Sequence, residues 1–317
     1  MKVLLSKQPA NSLSHISTTM PEQAKIDDTF AEAFPMVATR LVITAYDLDL
    51  AAHAAMEFCG NASSVIGCDA ECGIEQFMDE SETPDGRPGI AVLAFAFNRK
   101  SLQKAVTNRV GQNVLTCPTT ACYAGMVSNA KEERIRIGGQ LRYFGDGFQS
   151  SKKLGANRYW RIPVMDGEFL CEDEFGTIKG IGGGNLLICG RSQAEALIAT
   201  RKAVSGISNL SDVILPFPSG FVRSGSKVGS KYPDLKASTN DKWCPTLTAR
   251  TDTALELNER AVYEIVIDGL SEAAIAKAMQ TGLDAAGSSE GILRISAGNY
   301  GGKLGPHHFH LQRLMES

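Results

Sequence analysis

The sequence predicts an α+β protein of two ferredoxin-like lobes, each a β-α-β-β-α-β unit with a mostly antiparallel sheet flanked by helices. Three observations predict it. The order strand, helix, strand, loop, strand, helix, strand runs twice along the chain, in pattern rather than in residue identity. The length of 317 residues suits about two domains. With 43% hydrophobic and 21% charged residues, each lobe can bury a core without disulfide or metal staples. The expected division is a mobile extension over residues 1–25, an N-terminal lobe over 26–148, and a C-terminal lobe over 149–317 that includes a connecting hairpin.

In the first half, Leu41–Ala45 reads as a strand, and Leu48, Ala51, Ala55, Met56 and Cys59 recur at helical spacing after it. Ser63–Cys68 is a second strand candidate. Ile90–Phe97 is apolar on both faces, as a central strand is. A helix follows over Ser101–Gln112, burying Leu102, Ala105, Val106 and Val110, and Val114–Thr116 closes the set. The second half repeats this order. Asn185–Cys189 is a strand, and Ser192 with Glu195 forms a capping box ahead of a helix striped by Leu197, Ile198 and Val204. Val213–Leu215 is a strand stopped by Pro216. After a long insertion comes the strand Ala261–Asp268, then a helix from Ser271 burying Ile275, Ala278, Met279, Leu283 and Ala286. Ile292–Ser296 ends the second set. Between the lobes, Met165-Asp166-Gly167 signals a hairpin turn.

Charge and composition exclude several functions. A net charge of −3 argues against a nucleic-acid surface, which needs dense Lys and Arg. No apolar run approaches the roughly 20 residues of a membrane span. The eight cysteines form no CxxC pair and read as structural thiols of a reducing, cytoplasmic protein. The apolar stretch Val3–Leu5 is too short for a signal peptide. His307, His308 and His310 lie close enough for a metal, but a polar tail strand is the favoured reading.

The strand Ala261–Leu270 carries the main question of chemistry. Side chains alternate along a strand, so Tyr263, Ile265 and Ile267 share one face and Val262, Glu264 and Val266 the other. The first face should meet the helices. Glu264, between two valines on the open face, is then either a solvated charge or a covered acid whose pKa is raised by burial.

Three loops are candidates for binding. In Glu82–Gly89, prolines and glycines present Asp85 and Arg87 on a stiff turn, as a substrate contact or as a local ion pair. In Pro216–Lys236, Arg223, Lys227, Lys231 and Lys236 face one acid, Asp234, among small Ser and Gly spacers. That pattern favours small-molecule carboxylates or phosphates. In Ser296–Gly305, four glycines carry Asn299 and Lys303, either as donors to an oxyanion or as a simple turn at a strand end. Cys117, in Thr116–Thr120, invites a nucleophile reading that no neighbouring base supports.

At these residues a family comes into view. Asp28–Met36, Glu82–Gly89, Thr116–Ala121, Phe144–Gln149, Arg158–Val164, Val222–Gly229, Lys236–Asn240, Val262–Leu270 and Ser296–Gly305 resemble formylmethanofuran–tetrahydromethanopterin formyltransferase. The resemblance runs over nearly the whole chain from Ile26 onward. It implies transfer of a formyl group between the primary amine of methanofuran and N5 of tetrahydromethanopterin, in methanogenesis or methylotrophic formaldehyde oxidation. It implies two α/β lobes, and no tightly bound cofactor, with methanofuran and tetrahydromethanopterin acting as coenzyme substrates. It implies a cleft at a subunit interface of a homodimer or homotetramer, and for bacterial members further subunits of a formyltransferase/hydrolase complex. It places the family's catalytic glutamate at Glu264. On this reading Asp85, Arg87, Arg223, Lys227, Asn299 and Lys303 bind substrate. A non-catalytic scaffold subunit and a Cys117-dependent acyl hydrolase are the alternatives.

Overall fold

The computed structural model describes residues 23–316, so all of the predicted N-terminal extension except Gln23–Lys25 lies outside the described residues. In the first half the elements are β1 (Phe30–Thr44), α1 (Leu48–Cys59), β2 (Glu71–Met78), β3 (Gly89–Ala96), α2 (Arg99–Arg109) and β4 (Ala121–Ala124). The strands lie in the order β4-β1-β3-β2, each antiparallel to its neighbour. In the second half they are β7 (Ile178–Gly190), α3 (Gln193–Ile207), β8 (Val213–Ile214), β9 (Ala261–Gly269), α4 (Glu272–Gly287) and β10 (Ile292–Ser296), after the hairpin β5 (Asn157–Val164) and β6 (Gly167–Glu172). Here the order is β10-β7-β9-β8, again antiparallel. The two halves thus share one ferredoxin-like topology, as the doubled pattern predicts.

The lobes are not separate sheets. β1 and β7 are long enough to serve both, and they pair antiparallel from Phe34↔Gly182 to Ala38↔Ile178, which makes one continuous sheet of 13 strands among the described residues. The tail strand β11 (His307–His310) adds to the start of β1. Every long helix begins at a short polar cap whose side chain accepts a backbone N–H: Asp47, Asn98, Ser192 and Ser271. The cores lie between helices and sheet. Leu41, Ile43, Phe58, Ile90 and Leu102 belong to the first, and Leu186, Ile188, Ile265, Ile267, Ile275 and Met279 to the second. The segment 149–176, grouped by sequence with the second lobe, packs Ile162, Phe169 and Cys171 into the first core. Its turn at Met165–Gly167 is the predicted hairpin.

Three elements differ from expectation. Ser63–Cys68 is a turn, tied by Val65 N–H to Glu71 Oε1 at 2.8 Å, and the strand is Glu71–Met78 instead. That strand escapes an apolar pattern because two of its buried positions are carboxylates, Glu71 and Glu75. Val114–Thr116 ends a π-helical turn, and the closing strand follows at Ala121. The buried stripe of α3 is Ala196, Ala199, Thr200, Ala203 and Ile207, with Ile198 exposed. Small residues win there because α3 and α4 approach closely; a Cβ on Gly206 would already lie 3.0 Å from Thr281.

Both unexpected carboxylates join the lobes. Glu75 receives Arg40 at 2.5 and 2.6 Å, and Arg40 also reaches Asp212 of the second lobe at 2.7 Å. Glu71 meets Asp268 of β9, and Glu71 Oε2 and Asp268 Oδ2 have no donor among the described residues. Two carboxyls hydrogen-bond only through a proton. Burial, then the charge of Glu71, pushes Asp268 well above the usual range, and burial raises Glu71 as well. Asp268 therefore carries the proton when folded and loses it when unfolded. Its contribution is complete below the unfolded value near 3.8 and fades as pH rises through the folded one. Asp268→Asn supplies a permanent donor. Relative to wild type, its melting temperature is expected to gain with each pH unit above 4; parallel curves would exclude a shared proton.

Candidate active site

Glu264 lies on the face of β9 away from the helices. Ile265 and Ile267 are buried against the helices and Tyr263 is buried edge-to-face with Phe221, while Val262, Glu264 and Val266 are partly exposed on the open face, as alternation predicts. In register, Glu264 opposes Leu187 of β7, which opposes Ser296 of β10. On its other side the backbone of Glu264 exchanges hydrogen bonds with Val222, at 2.7 and 3.0 Å.

The open face is covered largely by this chain's own insertion, residues 216–260. Val222 extends the sheet, and Ser226–Val228 pairs with Ala237–Thr239 as a small ribbon. Arg294, on the open face of β10, holds the far end: it pairs twice with Glu259 at 2.7 Å, bonds Asp27 and the carbonyl of Ala254, and stacks over Trp243. The glycine loop after β10 contributes Tyr300, whose hydroxyl donates to Ser226 O at 3.0 Å. Beneath this cover the carboxyl of Glu264 has no hydrogen bond or ion pair among the described residues. Burial pushes its pKa up to about 7. It is an acid that both gives and takes a proton near neutral pH.

The other predicted residues fall into two groups. Arg223 follows Val222 directly and is exposed without an ion-pair partner among the described residues, as are Lys231 and Lys236. Lys227 is paired with Asp241 inside the insertion, so it shapes the ribbon. Lys303 is exposed on the glycine loop. Asn299 is exposed as well, and its Nδ2 donates to Thr29 Oγ1 at 3.0 Å. The second group, Asp85 and Arg87, sits on the first lobe. They pair with each other at 2.7 Å and bond Thr44, Tyr123 and Thr119, which is the local ion pair of the two readings. Sequence reasoning passed over Arg294, Tyr300 and Glu32, a buried carboxylate that binds the glycine loop. For Glu32 a signal existed: like Glu264, it is one acid in an apolar strand.

A nucleophile is not prepared. The Cys117 thiol donates to Leu50 O at 3.6 Å, and burial, then the charge of Asp47, raises its pKa. A cleft of about 600 Å³, lined by Cys59, Val204 and Ile207 among others, does not include Glu264. The unpartnered carboxyl of Glu264 lies instead on the sheet's open face. A lone carboxyl that burial pushes up to about 7, with Arg223 one residue from its strand partner Val222, is suited to give and take a proton in a group transfer.

Comparison with known proteins agrees. Residues 20–164 match the family model described as formylmethanofuran-tetrahydromethanopterin formyltransferase, and residues 167–314 match its companion, described as the proximal lobe. A formyltransferase of that name from Methylococcus capsulatus is 58% identical, over 92% of this chain and 97% of its own. One component of the formyltransferase/hydrolase complex of Methylorubrum extorquens is 49% identical over 92% and 96%. The solved formyltransferase of Methanosarcina barkeri superposes with a TM-score of 0.86 at 45% identity, covering 92% of this chain and 98% of its own. The chain belongs to the formylmethanofuran–tetrahydromethanopterin formyltransferase family.

Proposed function

We propose that the chain transfers a formyl group between N5 of tetrahydromethanopterin and the primary amine of methanofuran, with Glu264 carrying the proton. The observation that carries this reading is a carboxyl on the open face with no hydrogen bond or ion pair among the described residues, which burial pushes up to about 7. In one direction the amine nitrogen attacks the formyl carbon, giving a tetrahedral intermediate. The new C–N bond forms, the bond to N5 breaks, and one proton passes from the attacking nitrogen to N5. The same steps reversed serve the opposite direction. Formyl transfer between the two purified coenzymes is the direct test: a folded protein without transfer would leave the scaffold reading.

The Pro216–Lys236 pattern favours anionic ligands; Arg223 follows Val222, which pairs with Glu264, and Arg223, Lys231 and Lys236 are exposed without an ion-pair partner among the described residues. The double variant Arg223→Ala/Lys236→Ala is expected to raise KM for one coenzyme roughly tenfold and to flatten its salt dependence. An unchanged KM would assign these residues to solvent. Asp85 and Arg87 brace their loop in this reading, beside a recess lined by Tyr123, Lys152 and Tyr159.

The exposed Val228, Tyr232 and Leu235 at the tip of the insertion support a further covering chain, a second copy or a different component of a larger assembly. The M. extorquens relative, solved within a formyltransferase/hydrolase complex with methylofuran, has a TM-score of 0.87 at 48% identity, covering 92% of this chain and 96% of its own. Among the described residues no helix is long and apolar enough to cross a membrane.

A further inference from the structure

Glu32 is the other lone acid of an apolar strand, and the transfer steps leave it without a role. Its carboxylate is 1% exposed and accepts four backbone N–H groups from one loop: Tyr300 at 2.8 Å, Gly305 at 2.9 Å, Gly302 at 3.1 Å, and Leu304. Burial alone would raise its pKa, but the four donors outweigh burial and hold it below the usual carboxylate range. A fixed anion thus sits where a loop of four glycines must be folded. Gly301 and Gly302 both adopt left-handed φ, +71° and +75°, and at this turn the Gly302 N–H donates to Glu32 while the Gly301 N–H donates to Asn299 Oδ1. The backbone N–H groups of Tyr300, Gly302, Leu304 and Gly305 are therefore already engaged.

What the loop presents is Tyr300. The loop leaves the sheet at Ser296, in register with Leu187 and, one strand further, with Glu264. The Tyr300 hydroxyl returns to Ser226, in the insertion that begins its pairing at Val222 on the far side of Glu264. The side chain thus bridges the segments that flank Glu264. Burial, then the charge of Glu264, raises the pKa of Tyr300, so the two lie within electrostatic reach.

We propose that Glu32 is a positioning residue for formyl transfer: through its four N–H contacts it folds the loop 297–305 and holds Tyr300 as the lid that keeps Glu264 from water. This rests on Glu264 as the proton carrier. Glu32 itself touches no substrate. Loss of the clamp wets Glu264 and lowers its pKa, a change that a merely stabilising residue would not produce.

The test is the pH profile of kcat/KM for formyl transfer by the full chain. In Glu32→Gln, kcat is expected to fall about tenfold or more, and the ionisation near 7 to move down by about one pH unit. KM for both coenzymes should change less than kcat. Gly302→Ala keeps the charge of Glu32 but strains the left-handed residue that donates to it. The same downward shift there assigns the effect to the contacts rather than to charge through space. Should Glu32→Gln fail to fold, Gly302→Ala carries the test alone. A profile that stays in place in the folded variants overturns the inference even if activity drops. Undiminished transfer in Glu264→Gln would instead overturn the reading beneath it, and the inference with it.

Discussion

Glu264→Gln is expected to lower kcat for formyl transfer by about 10²–10⁴-fold while leaving KM for both coenzymes nearly unchanged. The substitution preserves shape and removes only the titrating proton. The carboxyl makes no hydrogen bond or ion pair among the described residues, so no structural partner is left unsatisfied. Stability should move the other way. The folded pKa, about 7, lies above the ordinary 4.5, so the wild-type carboxyl contributes most below 4.5 and progressively less as pH rises through 7. The amide has no such loss. Glu264→Gln should therefore match wild type in acid and exceed it in melting temperature above pH 7, while being far less active. Undiminished kcat, or a wild-type rate profile without an ionisation near 7, would remove Glu264 from the mechanism.

The topology was legible because most of its strands and helices obey simple periods. Ile275, Ala278, Met279, Leu283 and Ala286 fall on one helical stripe, and α4 buries all five. The reading failed where burial is achieved by unusual side chains. β2 hides Glu71 and Glu75, which look solvated until Asp268 and Arg40 arrive from elsewhere in the chain. α3 turns alanines inward because a second helix lies against it, a fact that no local window contains. The site shows the same limit. Glu264 could be placed on the open face by counting in twos, but its cover could not be assigned. Much of the cover is the chain's own residues 216–260, which lie outside the strand that carries Glu264. Lys227 resembled a free cation because Asp241, its partner, lies across a ribbon fourteen residues later.

Arg294→Ala should be the most destabilising single change on the open face. The guanidinium is 7% exposed and Glu259 1%. Glu259, then burial and the other acids around it, act on Arg294, and the net effect is a pKa raised beyond its already high value. Deleting the cation leaves Glu259 buried with one remaining donor, the Glu256 N–H at 2.8 Å. Breaking such a pair from one side costs about 3–5 kcal/mol, mostly the penalty of a stranded charge. Asp27 and the carbonyl of Ala254 lose their partner as well, so the base of the insertion is released from β10. Because the insertion helps to roof Glu264, activity should fall more than the folded fraction does. Two companions separate the causes. Arg294→Lys keeps the charge without the two-pronged grip on Glu259, and should recover only part of the urea midpoint. Arg294→Ala/Glu259→Gln removes the stranded charge, and should recover stability but not the clamp. If that double variant regains full activity along with stability, the insertion does not need Arg294 to cover the site. If it regains stability alone, the arginine is what holds the roof in place.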